Sequence, residues 1–427
     1  MRIDPQVLNA QTYWNHFQRL TPQLFEKIEV SLGKLIHSRY NLPLDHIFYD
    51  TSNFFTYGKP DSSTGLRRNG HSKQNQNGLP LVNFYLLCSK PYGIPLLHQT
   101  YAGSTQDAKT FKNVPAKILQ HLAALGIPPS QFTLCFDKGN LSPTGFKEVN
   151  KAQLFFIGSL RNSMGKDLLH IPQDQFHTIT LKESRKKVEY WKTRRVIYEQ
   201  ERTVYVLIDA AKQTKHRITF QEKLQKKTQA IDHFLQTQLN VKPQWQDLDQ
   251  VTEKITALIG KAPWKQVITY NITKLKSQVA VTYQIDKTAQ SAYEETLGRS
   301  ILFTNRHDWS PEEVIWGYRE QYEVEHAFRR MKDPKVIAIR PVYHSNAKCI
   351  EAHIFTCVLG YFLMAILRLI LAQRGLHMTY NEIFSPLEQL HLIAEQDAEH
   401  QVIKYQLEDV PLKAVKIVKL LHLERLI

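Results

Sequence analysis

Three acidic residues lie where a metal-dependent enzyme acting on phosphodiesters would need them. Asp50 and Asp137 each end a short apolar run, HIFYD and FTLCFD, and Glu325 lies in a later helical segment. Aspartates at the ends of neighbouring strands can face each other, and a helix packed on the sheet can add a glutamate. Three such carboxylates bind Mg²⁺ or Mn²⁺, and two ions about 4 Å apart promote displacement at phosphorus. Taken singly, each acid also fits an ordinary turn or helix position.

The segment from Ser310 to Lys332 predicts one helix that carries further polar groups. Ser310, Pro311 and Glu313 form a helix start signal with a capping box. Four polar side chains then recur at helical spacing on one face: Tyr318, Gln321, Glu325 and Lys332. Arginines flank this face: Arg319, Arg329 and Arg330. The face suits phosphates and a metal, although the segment is equally an amphipathic helix that packs its aromatic side.

The elements that must position these acids alternate between strands and helices. Apolar runs predict strands at 46–50, 79–88, 94–101, 132–137 and 154–157. Helical spacing predicts a helix that begins near Leu20–Pro22 and another over 107–125. The order predicts a mixed α/β sheet with flanking helices and with acids at two strand ends.

Residues 159–299 interrupt this order with a second set of strands and helices. Strands are predicted within 178–208 and 267–285, with a long polar helix over 214–240 between them. This stretch is too long for a loop and is interpreted as an inserted subdomain. Cations alternate with Tyr190 and Trp191 along its second strand. This pattern fits a strand face that contacts a nucleic-acid backbone, and it fits equally a charged face exposed to solvent. They include Lys186, Lys187, Arg194 and Arg195.

Charge indicates the kind of partner. The 427 residues include 55 Lys and Arg against 40 Asp and Glu, so the net charge is +15, which favours nucleic acid. Hydrophobic residues make up 42% of the chain, which is typical of a globular protein. The first residues contain no apolar run that resembles a signal peptide, so a cytoplasmic location is expected.

Two segments allow alternative interpretations. Cys349, His353 and Cys357 share one helical face. They could bind a metal, but the simpler interpretation is that they are small residues in the core. Residues 354–372 form an apolar stretch nearly long enough to cross a membrane, but Arg368 lies inside it. A core helix explains this stretch better than a membrane span, and no membrane partner is expected.

Together these residues resemble the DDE transposases of bacterial insertion sequences, in the branch with the YREK signature. That signature, Tyr-x2-Arg-x3-Glu-x6-Lys, maps onto Tyr318, Gln321, Glu325 and Lys332. Further motifs stand in the same order: GHSKQNQNGLPLVNFYLL, GIPLLHQTYAGSTQDAKTF, FDKGNLS and ILFTN. The resemblance covers roughly residues 44–372. It departs at Gln321, where the signature has arginine.

The resemblance implies an RNase H-like, retroviral-integrase-like core interrupted by a β-rich insertion. The expected organisation is a helical segment (1–43), a first core part (44–158), the insertion (159–299), a second core part (300–372) and a helical C-terminal region (373–427). Because only 43 residues precede the core, recognition of DNA ends is expected partly in the insertion and in 373–427.

The implied activity is Mg²⁺-dependent cleavage at insertion-sequence ends, followed by transfer of the 3′-OH into target DNA. Asp50, Asp137 and Glu325 would hold two Mg²⁺ or Mn²⁺ ions. Contacts to DNA phosphates are expected from Tyr318, Arg319, Gln321, Arg329, Lys332, Lys73 and the cations of the insertion. The implied partners are double-stranded DNA, as terminal inverted repeats and target, and a second copy of the chain in a synaptic complex. Two alternatives remain: a transposase-derived DNA-binding protein without catalysis, and an RNase H-like metal-dependent nuclease.

Overall fold

The computed structural model describes residues 9–62, 65–73, 78–182, 184–275, 278–340, 342–396, 402–408 and 410–423. The chain divides into two compact units. The first combines described residues of 1–158 and 314–427, and the second is formed from 159–313. The predicted inserted subdomain, 159–299, falls within the second unit, which continues to Glu313.

The N-terminal half of the first unit alternates helices and strands. Its helices are α1 (Ala10–Arg19), α2 (Pro22–Tyr40), α3 (Asp107–Phe111), α4 (Val114–Leu125) and α5 (Pro143–Lys151). Its strands are β1 (His46–Phe55), β2 (Leu81–Ser89), β3 (Pro95–Ala102), β4 (Thr133–Phe136) and β5 (Phe155–Leu160). The predicted helix over 107–125 is divided between α3 and α4, because Pro115 occupies the first turn of a new helix, where a missing N–H costs nothing.

The strands of the first unit lie in the order β3-β2-β1-β4-β5. β2 runs antiparallel to both of its neighbours, whereas β1, β4 and β5 run parallel to one another. Every residue of β2 and β4 is buried, as expected for strands covered on both faces. This mixed sheet with flanking helices confirms the mixed α/β fold class predicted from the sequence.

The second unit contains an antiparallel sheet and a helical cluster. Its strands are β6 (His177–Thr180), β7 (Lys187–Ile197), β8 (Gln200–Ile208), β9 (Ile268–Leu275), β10 (Gln278–Ile285) and β11 (Arg299–Thr304). Its helices are α6 (Ala210–Thr237), α7 (Leu248–Ile259), α8 (Trp264–Val267) and α9 (Lys287–Thr296). β7 pairs with both β6 and β8, and β8 pairs with β11. Apolar side chains of α6, α7 and the β9–β10 hairpin form a core of their own, including Phe220, Ile231, Phe234, Val251 and Ile255.

The remaining elements complete the fold towards the C-terminus. They are α10 (Pro311–Arg319), α11 (Tyr322–Lys332), α12 (Ala347–Gln373), α13 (Tyr380–Leu387), β12 (His391–Gln396), β13 (Val402–Glu408) and α14 (Leu412–Leu421). The region over 373–427, predicted as helical, contains the helices α13 and α14 but also an antiparallel hairpin of β12 and β13, which the prediction lacked. Short segments such as VIKYQLE, with apolar and polar residues alternating, favour strand over helix.

The predicted single helix over 310–332 is also corrected. Its start is as expected: the Ser310 hydroxyl and backbone N–H both donate to Glu313 Oε2 at 2.7 Å, and the Glu313 N–H donates back to Ser310 Oγ. The helix then ends at Arg319, and α11 begins at Tyr322 after a turn at Glu320 and Gln321. Glu320 forms an ion pair with Lys90, which anchors this turn to the end of the β2 hairpin.

The apolar segment 354–372 lies inside α12, which is long and apolar enough by length and composition to cross a membrane. Half of its most apolar window is buried within the structure. Arg368, the charge inside this stretch, lies 3.4 Å from Glu323 on α11 and stacks over Tyr92 and Tyr380. The arginine therefore has an acidic partner within the first unit, as a buried charge requires.

Candidate active site

The register of two parallel strands brings the first two acids together. Tyr49 on β1 pairs with Phe136 on the adjacent strand β4, and Asp50 and Asp137 are the residues that follow these two. Parallel neighbours lie about 4.8 Å apart, and residues in register point to the same face. Asp50 lies inside β1, which continues to Phe55, whereas Asp137 follows the last residue of β4. The predicted strand end is therefore wrong for Asp50, whose strand runs on for five residues, and correct for Asp137; the pairing brings the two acids side by side.

Helix α11 adds the third acid by packing on the face of the sheet that carries Asp50. Phe328 of α11 contacts Phe84 of β2 edge to face, with ring centroids 5.1 Å apart. Phe84 lies opposite Ser52 in the β1–β2 register, so Phe84, Ser52 and Asp50 share one face. Glu325 lies one turn before Phe328 and is exposed. An aromatic contact in the core thus fixes where the exposed carboxylate lies.

Asp50 is the electrostatic centre of this group. The pKa of Asp50 is raised to about 6, chiefly by burial and in smaller part by the carboxylates of Asp137 and Glu325, against the opposing charge of Lys73 and a backbone hydrogen bond. That bond comes from the Thr51 N–H, which donates to Asp50 Oδ1 at 2.7 Å. Each of the other two acids therefore lies close enough to Asp50 to oppose its ionisation. Such repulsion between neighbouring carboxylates is common at catalytic sites.

The chemistry of these donors fits a hard divalent cation. All three acids supply oxygen, the ligand type that Mg²⁺ and Mn²⁺ prefer, and a cation between them would relieve the repulsion felt by Asp50. Over the residues that the structure describes, no three His, Cys, Asp or Glu side chains form a ready-made metal cluster. The side chains of Asp50, Asp137 and Glu325 are therefore near one another but must rotate towards a common point to bind the same ion.

Tyr318 is tied directly to the second acid. Its hydroxyl donates a hydrogen bond to Asp137 Oδ1 at 3.2 Å. The residue before it, Gly317, allows α10 to approach the sheet closely, because a Cβ there would lie 3.2 Å from both His46 Nε2 and Ile157 Cδ1. Cys135 of β4 also donates its thiol to the Gly317 carbonyl. Tyr318 is therefore held over the end of β4, where it orients Asp137.

Lys332 reaches the same face from the end of α11. Its ammonium donates to the hydroxyl of Ser52, two residues after Asp50 on β1. The pKa of Lys332 is lowered to about 8, chiefly by burial and in smaller part by the cations Lys73 and Arg340, while Asp50 opposes this effect. Lys332 is therefore a partly buried ammonium beside the acids, and an added anion would stabilise its charged form.

The structure adds an acid and a new role for Lys73. Lys73 Nζ lies 2.9 Å from Asp107 Oδ2 and donates to both the carbonyl and the hydroxyl of Thr51 at 2.7 Å. The Tyr101 hydroxyl donates to Asp107 Oδ1 at 2.7 Å. Burial opposes ionisation of Asp107, but Lys73 and these hydrogen bonds hold its pKa below the usual value. Sequence reasoning missed Asp107, although its place in the motif STQDAKTF was a possible signal.

Three other predicted residues differ in their surroundings. Gln321, which occupies the arginine position of the signature, lies in the turn between α10 and α11 and is only 6% exposed. Arg319 is half-buried at the end of α10, and Arg329 is exposed on α11. Gln321 immediately precedes α11 with a helical backbone conformation, and its carbonyl accepts a hydrogen bond from the Glu325 N–H at 3.5 Å.

Exposed aromatic rings lie near Lys332 and escaped the sequence analysis. Tyr57 and Tyr343 stack with ring centroids 6.2 Å apart and an interplanar angle of 18°. Tyr343 is 79% exposed. Arg340, whose charge acts on Lys332, lies over the ring of Phe55 at the end of β1. Stacked rings beside cations are typical of surfaces that bind nucleic acid.

The predicted basic residues of the insertion belong to the second unit. Lys186, Lys187, Arg194 and Arg195 are all exposed. Arg194 forms an ion pair with Glu201 at 2.7 Å, and Arg195 forms one with Asp167 at 2.6 Å. Exposed pairs of this kind contribute little stability, so these arginines can exchange their partners for phosphates.

The alternative metal site on α12 has a simpler explanation. His353 Nε2 lies 3.0 Å from the Ile339 carbonyl, and Cys357 Sγ lies 3.8 Å from the same nitrogen. Cys349 and Cys357 are buried, and burial raises the pKa of both thiols. These contacts favour a role in packing.

Comparisons with known proteins add little. No family model matches the chain, and no curated protein sequence matches it. Among solved structures, a piggyBac transposase synaptic complex with hairpin DNA is similar over 81% of this chain and 52% of that one, at 8% identity and a TM-score of 0.39. A Mos1 transposase paired-end complex with the left transposon end shares 8% identity over 32% of this chain and 42% of that chain, with a TM-score of 0.20.

A Mos1 mariner paired-end complex with Mn shares 10% identity over 32% of this chain and 43% of that chain, with a TM-score of 0.19. The chain thus spans about half the length of the piggyBac chain and less of the Mos1 chains.

Proposed function

We propose that this chain is a DNA transposase of the DDE type, which cleaves DNA at insertion-sequence ends and joins the freed 3′-OH to target DNA. One observation carries the proposal: the β1–β4 register places Asp50 beside Asp137, and Glu325 of α11 lies near enough to raise the pKa of Asp50. The net charge of +15 supports DNA as the partner.

Asp50, Asp137 and Glu325 are proposed to hold two Mg²⁺ or Mn²⁺ ions. Such ions, when bound, polarise phosphate oxygens and lower the pKa of bound water. Tyr318 keeps the carboxylate of Asp137 oriented by its hydrogen bond. Lys332 positions a DNA phosphate beside the acids as a point charge. The Lys73–Asp107 pair fixes Thr51 and thereby the backbone next to Asp50.

Each proposed step makes one phosphorus–oxygen bond and breaks one. In cleavage, a water oxygen bonds to phosphorus, the bond to the 3′ oxygen breaks, and the products are a 3′-OH and a 5′-phosphate. In transfer, that 3′ oxygen bonds to a target phosphorus, and the target's own 3′ oxygen leaves with a proton. Both steps are in-line displacements, so the same residues can serve both without an external energy source.

DNA is proposed to contact the exposed cations of the second unit and the Tyr57–Tyr343 rings with Arg340 in the first unit. Concerted action on two ends requires two active sites, so a homodimer on paired inverted repeats is part of the proposal. The charge-rich, aromatic character of these surfaces matches what phosphate and base contacts require.

A strand-transfer assay tests the proposal directly. The substrates are DNA fragments that carry the inverted repeats flanking the gene, with a supercoiled target plasmid and Mg²⁺. Joined products with a short target duplication are expected. Cleavage without joining would indicate a nuclease. Binding without cleavage would indicate a transposase-derived DNA-binding protein without catalysis, the alternative suggested by the buried Gln321 at the arginine position of the signature.

Loss of the Lys332 charge should slow chemistry more than it weakens binding. We expect Lys332→Met to lower the single-turnover cleavage rate by about a hundredfold, as for removal of one positioned donor. DNA affinity should change little, because the lysine is one of many phosphate contacts. Lys335→Met, at an exposed lysine just after α11, is the matched control and should keep the wild-type rate. Equal rates for the two variants would contradict the role of Lys332.

DNA binding should depend steeply on salt. The slope of log K against log[salt] is expected to be several units, at about 0.9 per phosphate neutralised. Arg194→Ala should reduce that slope by about one unit, whereas Arg194→Lys keeps the charge and should leave it unchanged. Fluorescence anisotropy over a salt series measures both. A flat response in the wild-type protein would rule out the proposed phosphate contacts.

A further inference from the structure

A cavity of about 280 Å³ lies in the first unit beside β3. Its walls come from α2, α4, α12 and the strands β2 and β3. Tyr85 of β2 lines it, and Tyr85 pairs with Thr51 rather than with the Asp50 face of β1. The β3 part of the wall, Leu97 to Thr100, presents side chains to both faces of the sheet, because successive strand residues alternate, so the cavity lies at the β3 edge of the sheet. No residue given a catalytic role above lines it.

The cavity is acidic, although the chain as a whole is strongly basic. Glu26 and Glu29 of α2 and Glu351 of α12 line it. Lys117 of α4 is the cation among its lining residues, and within the described part of the chain no carboxylate lies within ion-pair distance of its ammonium. Burial lowers the pKa of Lys117, against the attraction of Glu26 and Glu29. The lining therefore contains more acidic side chains, Glu26, Glu29 and Glu351, than lysine or arginine side chains that could neutralise them.

One buried side chain in the wall has no hydrogen-bond partner. His121 is 3% exposed, and neither Nδ1 nor Nε2 makes a hydrogen bond to any described residue. Burial lowers the pKa of His121 to about 4, so at pH 7 the ring is neutral and offers one donor and one acceptor. An unsatisfied buried polar group costs about 1–3 kcal/mol, which a ligand would recover. The other histidine of the cavity, His98, is already paired with Glu29.

We propose that this cavity binds an organic cation, an amine or guanidinium on a short carbon stem, held by Glu26 and Glu29 with His121 as a hydrogen-bond partner. Its volume is that of about nine liquid waters, enough for such a group. Phe25 and Leu97 provide apolar wall for the stem.

The cation could be a free amine or the Arg or Lys side chain of a second copy of this chain, and both present the same chemistry. The proposal does not depend on the transposase function, since it concerns other residues, at the β3 edge of the sheet. Failure of one therefore leaves the other untouched.

Titration calorimetry of the full chain with n-butylguanidinium at low salt tests the proposal. Saturable binding at one site per chain is expected. Glu26→Gln should weaken it about tenfold, the loss expected for one charged hydrogen bond. Lys117→Gln should strengthen it several-fold, because the variant removes the cation that competes for the same acids. Glu26 is half-buried and makes no side-chain ion pair with a described residue, so this substitution should not impair folding.

N-butylurea, which has nearly the same shape but no charge, is the matched control and should not bind. Equal binding of the urea and the guanidinium, no saturable binding, or no effect of Glu26→Gln would each overturn the proposal. Sedimentation separates the two sources. Self-association that is weakened by Glu26→Gln and displaced by n-butylguanidinium would identify a side chain of a second copy, and a monomer that binds it would identify a free amine.

Discussion

Replacing any one of the three acids should abolish DNA cleavage and leave DNA binding nearly intact. We expect Asp50→Asn, Asp137→Asn and Glu325→Gln each to lower the Mg²⁺-dependent cleavage rate by roughly a thousandfold, the loss of several kcal/mol of transition-state stabilisation. The amides keep the size and much of the hydrogen bonding of the acids but lose the charge that the ions require. Single-turnover cleavage of a labelled end fragment, with anisotropy for binding, measures the two effects separately.

The pattern across variants matters as much as the size of the effect. Because the three acids are proposed to act as one unit, the Asp50→Asn/Asp137→Asn double variant should be no slower than either single variant. Glu388→Gln, at an exposed acid after α13, provides the control and should cleave at the wild-type rate. Wild-type cleavage by any of the three acid variants would disprove the assignment of the active site.

The same Asp50→Asn substitution should make the metal-free protein more stable. The pKa of Asp50 is about 6 in the folded chain against an ordinary value of 3.8. Between these values the folded state binds more protons than the unfolded state, so stability falls as pH rises and the loss is complete above about pH 6. At about 1.4 kcal/mol per pKa unit, removing the charge should recover up to about 3 kcal/mol at pH 7. Thermal unfolding in EDTA at pH 4, 5, 6 and 7 should show the gain growing with pH.

Asp107 supplies a matched control with the opposite sign. Its folded pKa is lowered, so its carboxylate contributes stability that is present at neutral pH and lost as pH falls. Asp107→Asn should therefore destabilise the chain at pH 7 under the same conditions. Mg²⁺ should raise the unfolding temperature of the wild type and not of Asp50→Asn. An unfolding temperature for Asp50→Asn at or below that of the wild type in EDTA would refute the proposed repulsion among the acids.

The sequence determined the elements well because their signals are local. Apolar runs predicted each strand of the first sheet, and the Ser310–Glu313 capping box was found as expected. Where contacts between residues distant in sequence decided the backbone, the prediction was wrong. The apolar spacing of 310–332 suggested one helix, but the turn at Glu320 and Gln321 is fixed by packing and by the Lys90 ion pair, both distant in sequence.

The candidate site was only partly accessible from the sequence. Residue types and order were enough to single out Asp50, Asp137, Glu325, Tyr318 and Lys332. Their proximity depends on a strand register and on the Phe328–Phe84 contact, which no local pattern specifies. Asp107 and Arg340 were missed for the same reason, since each acquires its neighbours only when separate segments meet.

The sequence by itself determined the fold class, the strands that carry the two aspartates and the positive charge that favours nucleic acid. Tertiary structure alone decided that Asp50 and Asp137 lie side by side, that Gln321 is buried, and that an acidic cavity with an unsatisfied histidine lies at the β3 edge of the sheet. The physical reason is range: helix and strand periodicity act over a few residues, whereas register, burial and electrostatic coupling arise between residues that are far apart in the chain.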